Sequence, residues 1–170
     1  VTLPNLILAW ALQQRGQNPA LDEAFEVNGE LELTSEVLEA FRRSLDLNCI
    51  TLSFLSGAWS TDFVDLLYRS GIPTSLPETT KALVLGSETI YSPFALESFS
   101  KTLLSILHRE RQERPSGNAR ALIAAKRLYF GVGGSLDDFV DRMRGLGAAI
   151  GVLLEETQGV RRGVVDCRLA

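Results

Sequence analysis

Histidine and methionine occur once each in the 170 residues, and cysteine only twice. One histidine and two distant cysteines supply neither a zinc-site spacing nor a disulfide framework. Cys49 and Cys167 are each flanked by strand-like residues. They read as reduced, buried thiols, which suits a cytoplasmic or nuclear protein. Long apolar runs are missing as well. The longest, LILAWAL from Leu6 to Leu12, falls far short of the roughly 20 residues a membrane helix needs. The opening VTLPNLILAWALQQRG lacks the basic lead and small-residue cleavage site of a secretory leader. Nor is there an excess of positive charge: the net charge is −4. No direct contact with nucleic acid or an anionic membrane is expected on that balance. The mixed-sign run His108–Arg114 reads as a solvated helix end, with His108 a solvated helix residue. The chain opens on Val1, which points to a trimmed N-terminus or to the latter part of something longer.

What is present is an ordinary globular composition, 45% apolar and 22% charged, at a length suited to one domain with a real core. Pro4 to Gln14 reads as a helix stopped by Gly16. Residues 16–34 are polar and acidic, broken by Pro19 and Asn28-Gly29, and read as a surface insertion with a hairpin at Asn28-Gly29. Thr34 or Ser35 caps a helix carrying Val37, Leu38, Phe41 and Leu45 on one side. The period then changes to two: Cys49–Leu55 alternates as a strand, ended by Ser56-Gly57. Ser60 caps a helix closed by Gly71. Lys81–Gly86 is a continuous apolar run of the kind covered on both faces in a parallel sheet. Ser92-Pro93 opens the clearest helix, which reaches about Arg114. Ala119–Ala125 is another buried-type strand. Ser135 caps a helix with Asp137 and Asp138 in its first turn. Ala149–Glu155 and Gly163–Leu169 close the chain as a hairpin. Alternating strands and helices predict an α/β fold: an open, mostly parallel sheet with helices on both faces and a C-terminal antiparallel hairpin.

The stretch KRLYFGVGGS, from Lys126 to Ser135, follows a strand and opens a helix, the setting of a phosphate loop. Its spacing fails both tests. Leu136 stands where a dinucleotide fingerprint needs its third glycine, and no lysine follows Gly134 as a P-loop requires.

The motif pair resolves the matter differently. Ser87-Glu88-Thr89-Ile90-Tyr91 at one strand end, then Lys126-Arg127-Leu128-Tyr129-Phe130-Gly131-Val132-Gly133-Gly134 at the next, resembles the protein-histidine N-methyltransferase family. Ser56-Gly57-Ala58-Trp59-Ser60 and Thr2-Leu3-Pro4-Asn5 resemble further pieces of it, in the right order. The resemblance implies a Rossmann-like fold of seven strands in the order 3-2-1-4-5-7-6, with S-adenosylmethionine as cofactor. Cys49–Leu55 is then the third strand, Ala82–Gly86 the fourth, Ala121–Ala125 the fifth, and the hairpin the last two. The first two strands have no counterpart, nor has the D-x-G-x-G turn that approaches the cofactor's methionine. The chain thus reads, over 1–170, as a C-terminal portion of one methyltransferase domain, or as a relative that has lost its first strand–helix–strand unit.

The resemblance implies a protein substrate, a histidine of a large-subunit ribosomal protein, and assigns roles by position. Glu88 orients either the target imidazole, through its ring N–H, or the cofactor's amino group, and Tyr91 lines the cleft. Gly57, Trp59, Ser87 and Asn5 fall on the cofactor side; Ala58 stands where the family usually carries an acid. Lys126, Tyr129, Phe130 and Gly131 fall on the substrate side. The alternative is a non-catalytic remnant or interaction module that keeps the substrate loops without the cofactor turn.

Overall fold

The computed structural model describes residues 2–25, 29–72, 76–127, 134–159 and 161–170. They cluster into two compact units, Val1–Ser53 and Phe54–Ala170.

In the first unit, helix α1 (Thr2–Gln14) buries Ile7 and Ala11. A short 3-10 turn at Pro19–Leu21 is held by the Asn18 side chain, which accepts from the Ala20 N–H at 3.1 Å. The segment read as a surface insertion gives Leu21 and Ala24 to the core of this unit. A lone antiparallel bridge, Phe25 to Leu31, spans the expected Asn28-Gly29 turn; Asn28 lies outside the described residues. Helix α2 (Ser35–Leu47) is capped by Thr34, whose hydroxyl accepts from the Val37 N–H at 3.3 Å. Such a cap contributes about 1 kcal/mol. Val37 and Phe41 carry the buried face, and Trp10 meets Phe41 edge-on at 5.3 Å.

The expected strand Cys49–Leu55 does not form. Its first two residues are used to end α2 instead. Cys49 takes a left-handed φ of 53°, and the Ile50 N–H reaches back to the Leu45 carbonyl at 2.8 Å. That is a Schellman-type stop, which satisfies orphan carbonyls of the last turn. Residues 51–58 then carry no regular structure, since a strand without a partner has nowhere to place its backbone hydrogen bonds. Cys49 is exposed, against expectation, whereas Cys167 is buried.

The second unit holds the sheet. Helix α3 (Thr61–Leu66), capped by Ser60, widens into a π-helical turn over Leu67–Gly71. Strand β1 (Ala82–Ser87) follows, then α4 (Pro93–Glu113), β2 (Ala119–Lys126), α5 (Leu136–Gly145), β3 (Ala148–Glu156) and β4 (Arg162–Leu169). The strand order is β1-β2-β4-β3, with β1 and β2 parallel and both remaining pairs antiparallel. The α/β class and terminal hairpin stand as expected; the sheet is mixed. Its order is also the one the resemblance implies for the last four strands.

Register divides the sheet into two faces. Val84, Ala121, Ile123, Val165 and Cys167 share one of them with α4 and α5, where Phe99, Leu103, Leu107, Phe139 and Met143 complete the core. Leu83 and Leu85 of β1 point to the other face, together with Leu122 and Val164, and are 56% and 71% exposed. The continuous apolar run of β1 is therefore covered on one side only, which corrects the sequence reading. Among the described residues β1 is hydrogen-bonded on one edge, to β2.

The run His108–Arg114 is also less solvated than its charges suggest. Glu110 and Arg114 are 3% and 7% exposed, and the guanidinium grips the carboxylate through Nε (2.9 Å) and a second, shorter bond. The Tyr68 hydroxyl donates to Glu110 at 2.7 Å. Burial first, and then the Glu110 carboxylate, push the Tyr68 phenol far above its ordinary range. His108 is exposed as expected.

Candidate functional site

Ligands of open α/β sheets gather beyond the carboxyl ends of parallel strands. Here those ends are Ser87 and Lys126. Ser87 stands opposite Ala124 in the ladder, and the Glu88 N–H continues it by donating to the Ala124 carbonyl at 3.0 Å. That bond holds Glu88 at a φ of +56°, in the left-handed region. For a residue with a Cβ this costs on the order of 1–2 kcal/mol. Strain of this kind is kept where the surrounding structure fixes it, and such sites are often functional.

Two clefts open beside this strand end. The polar one, of about 360 Å³, is lined by Ser87, Glu88, Ala124, Leu154, Glu156 and Arg162, among others. The apolar one, of about 530 Å³, follows β1 from Lys81 to Gly86. Trp59, Phe63, Thr89 and Phe99 stand in its wall, as do Glu110 and Arg114. Trp59 is 39% exposed and packs edge-on against Phe63 at 5.6 Å and Phe99 at 5.3 Å. Gly57 has a packing reason to be glycine: a Cβ there would stand 2.8 Å from the Phe63 ring.

The loop after β2 is anchored at both described ends. Arg127 pairs with Asp137 at 2.9 Å and with Glu155, and its N–H donates to the Arg161 carbonyl at 3.0 Å. At the far end Gly134 has a φ of +87°, and a Cβ there would lie 2.6 Å from the Ile90 carbonyl oxygen. Only glycine fits that approach, which seats the start of α5 on the turn carrying Glu88 and Tyr91. Ser135 then caps α5, accepting from the Asp138 N–H at 2.9 Å.

Of the residues picked from the sequence, Ser87 and Glu88 line the polar cleft and Trp59 the apolar one. Tyr91 is 55% exposed on the following turn, and Lys126 is half-buried at the end of β2. Asn5 is exposed on α1 in the other unit. Tyr129, Phe130 and Gly131 lie outside the described residues. Sequence reasoning missed Thr89, Glu156 and Arg162 at the clefts. Glu156 and Arg162 are each one residue beyond the strand ends read from the pattern. Among the described residues no cluster of metal-ligating side chains occurs, and no helix is long and apolar enough to cross a membrane.

No family model matches the chain. Curated proteins do. It is 36% identical over 146 residues to Histidine protein methyltransferase 1 of Saccharomyces cerevisiae, covering 82% of this chain and 36% of that protein. It is 33% identical over 168 residues to the protein of that name in Schizosaccharomyces pombe, covering 97% of this chain and 44% of the other. The chain belongs to the histidine protein methyltransferase family. A homologue in Rattus norvegicus is 32% identical over 82% of the chain. The chain spans 31–44% of the length of these three family members. Membership agrees with the arrangement of the strand ends, where the Ser87–Tyr91 turn meets Gly134, a described residue of the second motif.

Proposed function

We propose that this chain forms the substrate side of an S-adenosylmethionine-dependent protein-histidine methyltransferase working in the cytoplasm or nucleus, with a large-subunit ribosomal protein as substrate. On this reading, residues 1–170 are the C-terminal portion of one methyltransferase domain. The observation that carries the reading is the side-by-side ending of β1 and β2, with Glu88 held in a strained conformation by the Ala124 carbonyl.

When bound, S-adenosylmethionine supplies a methyl group on a sulfonium, open to in-line displacement by a nitrogen lone pair. A neutral imidazole has such a lone pair at cellular pH, so positioning and exclusion of water are the protein's main tasks. Glu88 accepts a hydrogen bond from the ring N–H, which fixes the tautomer and turns the other nitrogen toward the methyl group. Tyr91 borders the imidazole. Lys126, Tyr129, Phe130 and Gly131 hold the substrate backbone around it. The cofactor would be held by Trp59, Gly57 and Ser87. Two features of the apolar cleft suit the cofactor's adenosine: the partly exposed Trp59 ring, and the Thr89 hydroxyl, which is buried without a hydrogen-bond partner among the described residues. For the methionine end the sequence offers no D-x-G-x-G turn, and no step is assigned to it.

Radiolabelled S-adenosylmethionine, the protein and a ribosomal large-subunit protein fraction should together yield methylhistidine on hydrolysis. Label recovered only on lysine or arginine, or none above background, would overturn this function. A second reading is an interaction module that binds the protein substrate without cofactor. Substrate capture with no cofactor uptake would establish it.

A further inference from the structure

Thr89 is the residue of the Ser87–Tyr91 motif to which sequence reasoning gave no role. Its hydroxyl is one of a few buried polar side-chain atoms with no hydrogen-bond partner among the described residues. Two of the others, on Ser100 and Arg142, line neither cleft; Thr89 lines the apolar one beside Trp59 and Phe99. Thr89 as a whole is only half-buried, so the part of it that meets solvent is not the hydroxyl. Gly86 makes this arrangement possible. A Cβ at Gly86 would stand 2.9 Å from the Phe99 ring and 3.6 Å from the Thr89 hydroxyl oxygen. A buried hydroxyl with no partner is destabilising, and valine would fill the same space without that cost.

On the reading of the apolar cleft as the cofactor's adenosine site, we propose that Thr89 is a ligand-contacting residue, its hydroxyl hydrogen-bonding the adenosine portion. A change of χ1 from one staggered well to the next moves the hydroxyl out of its buried position and frees it to meet a ligand in the cleft. The bond formed there removes a penalty carried by the free protein, and the binding energy includes that relief.

The test compares wild type with Thr89→Val and Thr89→Ser, using adenosine and S-adenosylhomocysteine as probes in titration calorimetry. Thr89→Val should bind both probes roughly three- to tenfold more weakly, the worth of one hydrogen bond. Thr89→Ser should bind like wild type. Without ligand, Thr89→Val should melt no lower than wild type, because no bond is lost. Equal affinity of wild type and Thr89→Val would overturn the proposal alone and leave the cofactor reading standing. So would a lower melting temperature of ligand-free Thr89→Val, which would mean the hydroxyl already has a partner. Failure of wild type to bind either probe would overturn this proposal together with the cofactor reading.

Discussion

Glu88 is the residue where local strain and proposed chemistry coincide, and a substitution series separates them. Its φ of +56° is locked by the N–H donated to Ala124. Glu88→Ala and Glu88→Gly both remove the carboxylate, but only alanine keeps a Cβ in the left-handed region. The strain is on the order of 1–2 kcal/mol, while glycine adds roughly 0.5–1 kcal/mol of unfolded-state entropy. The glycine variant should therefore be more stable than the alanine variant by about 0.5–1 kcal/mol in urea denaturation. Activity should follow the other variable. A carboxylate accepting from a ring N–H contributes about 1.5–3 kcal/mol, so both variants should lose roughly ten- to a hundredfold in kcat/KM. Glu88→Gln, a neutral acceptor of the same length, should lose less. A glycine variant no more stable than alanine would refute the strain argument. Either variant with wild-type kcat/KM would refute the orienting role.

Cys49 gives a control without chemistry. It is exposed and left-handed at the stop of α2, so Cys49→Gly should raise stability by up to about 1 kcal/mol in the same denaturation assay. Arg114→Met strands the buried Glu110 carboxylate and should cost about 3–5 kcal/mol. Asp65→Asn, which weakens only the exposed pair with Arg109, should cost no more than about 1 kcal/mol; equal losses would mean the Glu110–Arg114 pair is not sealed from water. Burial, and then the neighbouring Asp166, push the Cys167 thiol from 9.0 up to about 11. The folded state thus holds that proton more tightly than the unfolded state, and its contribution is intact below about pH 9. Stability should fall by up to about 3 kcal/mol as pH rises from 9 to 11. At pH 8, iodoacetamide should label Cys49 readily and Cys167 only on unfolding, as mass spectrometry would report; rapid labelling of both would contradict the burial.

The elements legible in the sequence were those whose stop and start signals are local. Ser92-Pro93 opened α4 as read, because an N-cap hydroxyl and a pre-set φ act within one turn. Both segments of the terminal hairpin were visible in their apolar pattern. The missed features depend on what lies beside a segment. Alternation in Cys49–Leu55 could not reveal that Cys49 and Ile50 close α2. Charge in His108–Arg114 could not reveal that Glu110 faces Tyr68, since those residues are distant in sequence. The apolar run of β1 gave its strand identity correctly but not which of its faces would be covered.

That last difference bears on the site itself. The polar half of the strand-end site rests on bonds complete within the second unit: the β1–β2 register, the Glu88–Ala124 link, and the seat of Gly134 on the turn at Ile90. The apolar half rests on β1 hydrogen-bonded along one edge, with Leu83 and Leu85 exposed beside Trp59. Parallel strands are ordinarily covered on both faces, so the apolar half is the part whose geometry depends most on what lies against it. Substrate-side geometry should thus survive changes on the exposed face of β1 that the cofactor side does not. Leu85→Ser should leave binding of a histidine-bearing peptide within about twofold while weakening adenosine binding by tenfold or more. The opposite pattern would mean that the site is organised from the cofactor side, and that Glu88 is positioned by more than its ladder bond to Ala124.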